Sequence, residues 1–231
     1  MPYREGMPRD TLTREQIIQT AVELLDAEGL EGLNMRSLGR RLGSAATAVY
    51  WHVKSKDNLV VLAGDRVWDE IKLPDPGAVG WRAAATSMAT DLYGMLTRHP
   101  WLMQAMPSYL FHGPGKARHD DHSLAVYEAA GFVGAEADQA AATVFTFVLG
   151  NALGESATAS LTRRLSRDGG DPEELIRDTM AQAAEVAMGF PRLRARVQAM
   201  ETIDYGGAPD DSFEFGLRAI FDGLEARLAL R

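Results

Sequence analysis

The sequence predicts an all-α fold in two parts: a small three-helix head containing a helix-turn-helix, and a larger helical body. Three observations predict it. Apolar residues recur at helical spacing along nearly the whole chain, with no convincing run of strand-type alternation. Two short helical stretches flank a tight turn at Gly43, the spacing of a helix-turn-helix. Pro74-Asp75-Pro76-Gly77 then breaks the pattern. The reading is a disordered arm over residues 1–10, a head with its linking helix over 11–73, and a body over 74–231.

The first helix has clear punctuation. Thr13 and Gln16 fit a capping box, in which the threonine hydroxyl accepts a free backbone N–H and the glutamine reaches back. Ile17, Ile18, Ala21, Val22, Leu24 and Leu25 form its apolar stripe, and Gly29 stops it, since glycine tolerates the left-handed conformation. A short helix follows over Met35–Leu42, with Met35, Leu38 and Leu42 on one face. A second begins near Thr47, and Val49 and Val53 are expected to pack inward from it. Ser55 can cap the next helix, which runs to about Lys72. In the body, helices are expected over about 80–98, 121–131, 136–161, 172–188 and 211–230, with loops at 112–115 and 167–172.

Composition limits what such a chain can be. Apolar residues make up 46% of its 231 positions, enough for a packed core, and there is no cysteine for disulfides or thiolate metal sites. The apolar, uncharged stretch 139–154 falls short of the roughly 20 apolar residues a membrane span needs. The start lacks the apolar run of a secretory signal. The expected setting is cytoplasmic and no membrane partner is expected. The net charge of −8 taken alone argues against nucleic acid, but charge is unevenly distributed. Residues 1–60 hold eight basic and eight acidic groups, so the whole excess of acid lies beyond them. Between Asn34 and Lys56 stand five basic residues and no acidic one. Phosphate neutralisation is local, so a basic patch on an acidic body suits DNA held by one face.

The residues around this patch also match a known pattern. Ala21-Val22-Glu23-Leu24-Leu25, Gly29-Leu30-Glu31-Gly32-Leu33, Met35-Arg36-Ser37-Leu38, Leu42-Gly43 and Ala48-Val49-Tyr50-Trp51-His52-Val53-Lys54-Ser55-Lys56 resemble the N-terminal domain of the tetracycline-repressor (TetR) family in order and spacing. Phe213-Glu214-Phe215-Gly216-Leu217, continuing to Gly223-Leu224-Glu225, is similar to that family's last helix. The resemblance implies a DNA-binding transcriptional regulator, a repressor released from an inverted-repeat operator by a small-molecule effector. By position it implies DNA contact by Arg36 from the first short helix, and a recognition surface of Ala46, Thr47, Ala48, Tyr50, Trp51 and His52, with Tyr50 and Lys56 on phosphates. The chemistry agrees: arginine suits guanine or phosphate, and hydroxyl and ammonium groups suit phosphate. Ser44 departs from the usual apolar residue after the turn glycine, which predicts a looser turn.

For the body the resemblance implies a homodimer through the helices at 136–161 and 211–230. Gly150 and Gly154 would allow close approach, and Phe213, Leu217, Ile220 and Leu224 would supply an apolar stripe; the plain alternative is an intrachain core. Met88, Leu92, Met95, Met103, Met106, Tyr109 and Phe111 are the candidate effector pocket, because methionine and aromatic side chains suit adaptable apolar sites. Positions by which the tetracycline-binding members hold drug and magnesium align with Lys72, Met88 and Met106, so the implied effector is largely apolar and not a magnesium chelate. No cofactor, metal or catalytic residue is expected. His119-Asp120-Asp121-His122 reads as a polar turn rather than a metal site, and no spaced nucleophile–base set supports an enzyme. The rival readings are such an enzyme, or a helical protein–protein adaptor that has lost DNA binding.

Overall fold

The computed structural model describes residues 12–167, 169–200 and 208–230; the expected N-terminal arm, 1–10, lies outside them. The described residues form helices without strands. The head comprises α1 (Arg14–Gly32), α2 (Met35–Arg41), α3 (Ala46–Val53) and α4 (Lys56–Val67), followed by a 3-10 turn over Trp68–Glu70. The body comprises α5 (Pro76–Val79), α6 (Trp81–Arg98), α7 (Pro100–Ala105), α8 (Pro114–Ala130), α9 (Ala135–Arg167), α10 (Pro172–Ala187), α11 (Pro191–Met200) and α12 (Ala208–Ala229).

Local sequence accounts for the head. The Thr13–Gln16 capping box forms in full, with Gln16 N–H donating to Thr13 Oγ1 at 3.1 Å and Thr13 N–H to Gln16 Oε1 at 2.9 Å. Gly29 adopts φ 70° and kinks α1 instead of ending it. Ile17, Leu24, Leu25, Leu38, Val49, Val53 and Leu59 are fully buried in one cluster. Burying each such side chain is worth about 1.5–3 kcal/mol, which fixes the mutual placement of α1–α4.

Two boundaries in the body differ from the sequence reading for tertiary reasons. α8 starts seven residues before the expected Asp121. No side chain of its own caps it; the Asp65 carboxylate of α4 accepts the backbone N–H of Gly115 at 3.2 Å and of Lys116 at 3.0 Å. α9 runs six residues past Leu161, and its last turn ends on Arg163 and Arg167, which reach α1: Arg163 donates to the Asp26 carbonyl at 3.0 Å and Arg167 to that of Glu28 at 3.1 Å. α7 and α11 are helices that periodicity did not suggest. In the body α6 packs chiefly on α9 and α8, α7 on α9 and α1, and α12 on α9, whereas α10 and α11 meet little besides each other and α9.

Candidate nucleic-acid interface and effector chamber

The helix-turn-helix geometry rests on two glycines. Gly43 takes φ 59° in the turn. Gly39, buried in α2, faces the chain entering α3: a Cβ there would stand 2.8 Å from the Ser44 carbonyl oxygen and 3.2 Å from the Ala46 nitrogen. No local pattern marks Gly39, because a mid-helix glycine signals nothing until a crossing backbone is seen. Ser44 does not loosen this turn, for its N–H donates to the Gly39 carbonyl at 2.8 Å. Asn34 caps α2 by accepting the Ser37 N–H at 2.8 Å.

α3 buries Val49 and Val53 and turns its other side outward. Trp51 is 88% exposed and Tyr50 54% exposed. Arg36, Thr47 and His52 are exposed too, and Ala46 and Ala48 half-buried. An exposed tryptophan beside an exposed tyrosine on an eight-residue helix contributes nothing to the core, which is what a contact surface requires. The basic residues divide into two groups. Arg41 pairs with Glu28 at 3.0 Å, and Lys56 Nζ donates to the Leu30 carbonyl at 2.8 Å, so both brace the head. Arg36, Arg40 and Lys54 are exposed and form no ion pair among the described residues. Lys54 ends α3 at φ 62°, the single positive φ outside glycine among the described residues, held by its N–H to the Tyr50 carbonyl at 2.8 Å.

The head is joined to the body by a buried polar knot. His99, 6% exposed at the α6–α7 junction, places Nδ1 2.7 Å from Asp26 of α1 and Nε2 2.9 Å from Glu70 of the 3-10 turn. Trp101 Nε1–H donates to the same Asp26 oxygen at 2.7 Å, and Arg98 donates to Glu70 at 2.6 Å. Burial disfavours the imidazolium, but the two carboxylates outweigh it and hold the His99 pKa above its ordinary value. Burial likewise opposes the Glu70 carboxylate, and Arg98 and His99 overcome it, so its pKa lies below the usual range. Tyr109 O–H donates to Asp57 of α4 at 3.1 Å, a further tie.

Within the body, α6, α8 and α9 enclose a cavity of about 30 Å³ lined by Met88 and Leu92, by Ser123, Val126 and Tyr127, and by Val144 and Phe145. A recess of about 240 Å³ between α8 and α9 adjoins it and shares His119, Ser123, Ala141 and Phe145. Of the seven residues expected in a pocket, Met88 and Leu92 line this cavity. Met95 is buried in the core; Met103, Met106, Tyr109 and Phe111 pack at its edge. Phe111 lies against Gly64 of α4, where a Cβ would meet its ring at 2.1 Å. Lys72 is exposed. His122 Nε2–H donates to the Pro74 carbonyl at 2.8 Å and His119 is buried; the described residues hold no cluster of metal-ligating side chains.

Of the residues expected at a subunit interface, Phe213, Leu217 and Leu224 are buried within their own chain and Ile220 half-buried. Phe213 stacks on Tyr93 with centroids 4.5 Å apart and on Phe147 at 5.6 Å. α12 has two apolar sides, and periodicity does not say which of them faces its own α9. Gly150 and Gly154 do lie on the surface, with nothing within 4 Å of a Cβ added there, next to exposed Leu153; Phe215 of α12 is 75% exposed.

Comparison with known proteins agrees with this geometry. Residues 17–63 match the family model described as bacterial regulatory proteins, tetR family, and residues 73–228 match that of the tetracyclin repressor-like C-terminal domain. The chain is 34% identical over 228 residues to the HTH-type transcriptional repressor DrrR1 of Streptomyces coeruleorubidus, covering 97% of this chain and 81% of that protein. It is 29% identical to the class C tetracycline repressor protein of Escherichia coli, over 93% of this chain and 91% of the other. Among solved structures, the Streptomyces coelicolor TetR family protein ActR in complex with actinorhodin superposes with a TM-score of 0.73 at 28% identity, covering 94% of this chain and 97% of that one. With its exposed α3, its basic face and matches spanning head and body, the chain belongs to the TetR family of DNA-binding transcriptional regulators.

Proposed function

We propose that two copies of this chain pair through the exposed faces of α9 and α12, at Gly150, Leu153, Gly154 and Phe215, and set two α3 helices into successive major grooves of an inverted repeat. Half-sites would then lie about 34–36 Å apart or at multiples of that distance. The observation that carries this is the outward Tyr50–Trp51 pair beside Arg36, Arg40 and Lys54 on an acidic protein. Thr47 and His52 are placed to read base edges, and the half-buried Ala46 and Ala48 to meet thymine methyls. Tyr50 and Lys54 hold phosphates. Lys56 shares its ammonium between Leu30 and DNA.

The protein works in the cytoplasm as a repressor and catalyses no reaction. A largely apolar small molecule enters among α6, α8 and α9 and favours a state in which the α3 helices no longer match the half-sites. Support comes from the cavity, from the ties that connect its walls to α1 and α4, and from actinorhodin held by the similar ActR.

Selection of bound fragments from the source genome at 50 and 200 mM salt tests the DNA reading. An inverted repeat is expected, with affinity falling at least a hundredfold across that range. Arg36→Ala should weaken binding to the selected repeat about tenfold. Affinity flat with salt, together with no repeat, would refute the reading.

A further inference from the structure

Trp68 lies in the 3-10 turn between α4 and the body and is 1% exposed. Its indole Nε1 is buried and, among the described residues, is the one buried side-chain nitrogen or oxygen without a hydrogen-bond partner. An unsatisfied buried donor is costly, so this N–H calls for an acceptor from outside the described side chains. Its neighbours indicate where that acceptor comes from. The Trp68 ring lies 4.9 Å from His119 and stacks on Phe145 at 6.2 Å with planes 21° apart. His119 and Phe145 both line the inner cavity of about 30 Å³ and the outer recess of about 240 Å³, and so form the wall between them. Lys116 Nζ, over the Trp68 ring at 5.2 Å and the Phe145 ring at 5.7 Å, lines the outer recess.

We propose that Trp68 is an effector-binding residue: a flat aromatic ligand slides between His119 and Phe145 and presents a carbonyl oxygen to the Trp68 indole N–H. This rests on the reading of the α6–α8–α9 cavity as the effector chamber. Aromatic character follows from the two rings the ligand would meet, His119 and Phe145, which already pack on the Trp68 indole. The ligand is uncharged at this end, because Lys116 is already paired with Asp120, and Asp138 also borders the recess. The inner cavity has room for little more than a water, so entry displaces Phe145 or His119. Either displacement moves the packing of Trp68, and with it the end of α4.

The test uses two flat probes of equal shape, 9-fluorenone with a carbonyl and fluorene without one, on the full chain and on Trp68→Phe, which keeps a ring and removes the N–H. Fluorenone should bind the unmodified protein about five- to tenfold tighter than fluorene, and Trp68→Phe should abolish that preference while leaving fluorene affinity within twofold. The Trp68 indole signal, one of four in the protein, should move with fluorenone and not in the same way with fluorene. That shift, assigned through its contact with His119, carries the test alone if the variant does not fold. Equal binding of the two probes, no binding by either, or a preference that survives Trp68→Phe overturns the proposal. Operator binding without probe is measured on the same preparations: its presence alongside any of these results sinks this inference alone, and its absence in the unmodified protein sinks the regulator reading.

Discussion

Two single residues bear strain or charge that the rest of the molecule must balance. Lys54 holds a left-handed backbone at the end of α3, a conformation costing a non-glycine residue about 1–2 kcal/mol. Lys54→Gly should therefore raise thermal stability by a few degrees while weakening operator binding and reducing the salt slope by about one, the signature of a lost phosphate contact. Unchanged affinity would show that Lys54 does not meet DNA. His99 gives a pH dependence. Its folded pKa is raised, so the stability it contributes is fully present below its unfolded value and is lost as pH rises through the folded one. The melting temperature gap between the protein and His99→Gln should thus be wide at pH 6 and narrow at pH 9. A gap that stays wide at pH 9 would mean that a neutral imidazole does the holding. The groups facing His99 are Asp26 of α1, Glu70 with its partner Arg98, and the Trp101 N–H.

At the scale of elements, the joint between head and body matters most. α4 alone could transmit a shift from the body, but it is not alone. Arg163 and Arg167 at the end of α9 donate to carbonyls at the end of α1's first segment, where positive charge also suits the helix dipole. Gly29 makes room for Arg163, since a Cβ there would lie 2.9 Å from its guanidinium. Asp65 of α4 caps α8 from across the joint. Replacing both arginines by alanine should separate head from body, so that calorimetry resolves two transitions and effector no longer releases operator. A single cooperative transition with full release would place the coupling in α4 and Asp65. These ties were absent from the sequence reading because each joins residues 50 or more positions apart, and no local pattern marks either end.

For the whole molecule, the proposed dimer brings two acidic chains together. α9 and α12 leave Leu153 and Phe215 exposed, and α10–α11 leave Met180, Val186 and Phe190 exposed as well. Such surface is costly unless covered. Leu153→Arg combined with Phe215→Arg should convert a dimer to a monomer in sedimentation and weaken operator binding at least a hundredfold, because one α3 makes half the contacts. A dimer persisting in that variant would move the interface to α10–α11.

The sequence by itself determined the all-α class, the helix-turn-helix and its outward residues. Those depend on signals that act within one or two helical turns: the Thr13 capping box, the Ser55 cap, the Gly43 turn, and apolar spacing that sends Val49 and Val53 inward and leaves Tyr50 and Trp51 out. Only the tertiary structure decided which methionines border the cavity, which side of α12 faces its own chain, where α8 begins, and that His99 and Trp68 stand where head meets body. Periodicity reports that a helix has an apolar side. It carries no information about which of several apolar sides is opposite, and burial, capping from a distant carboxylate and the loss of a hydrogen-bond partner all depend on that neighbour.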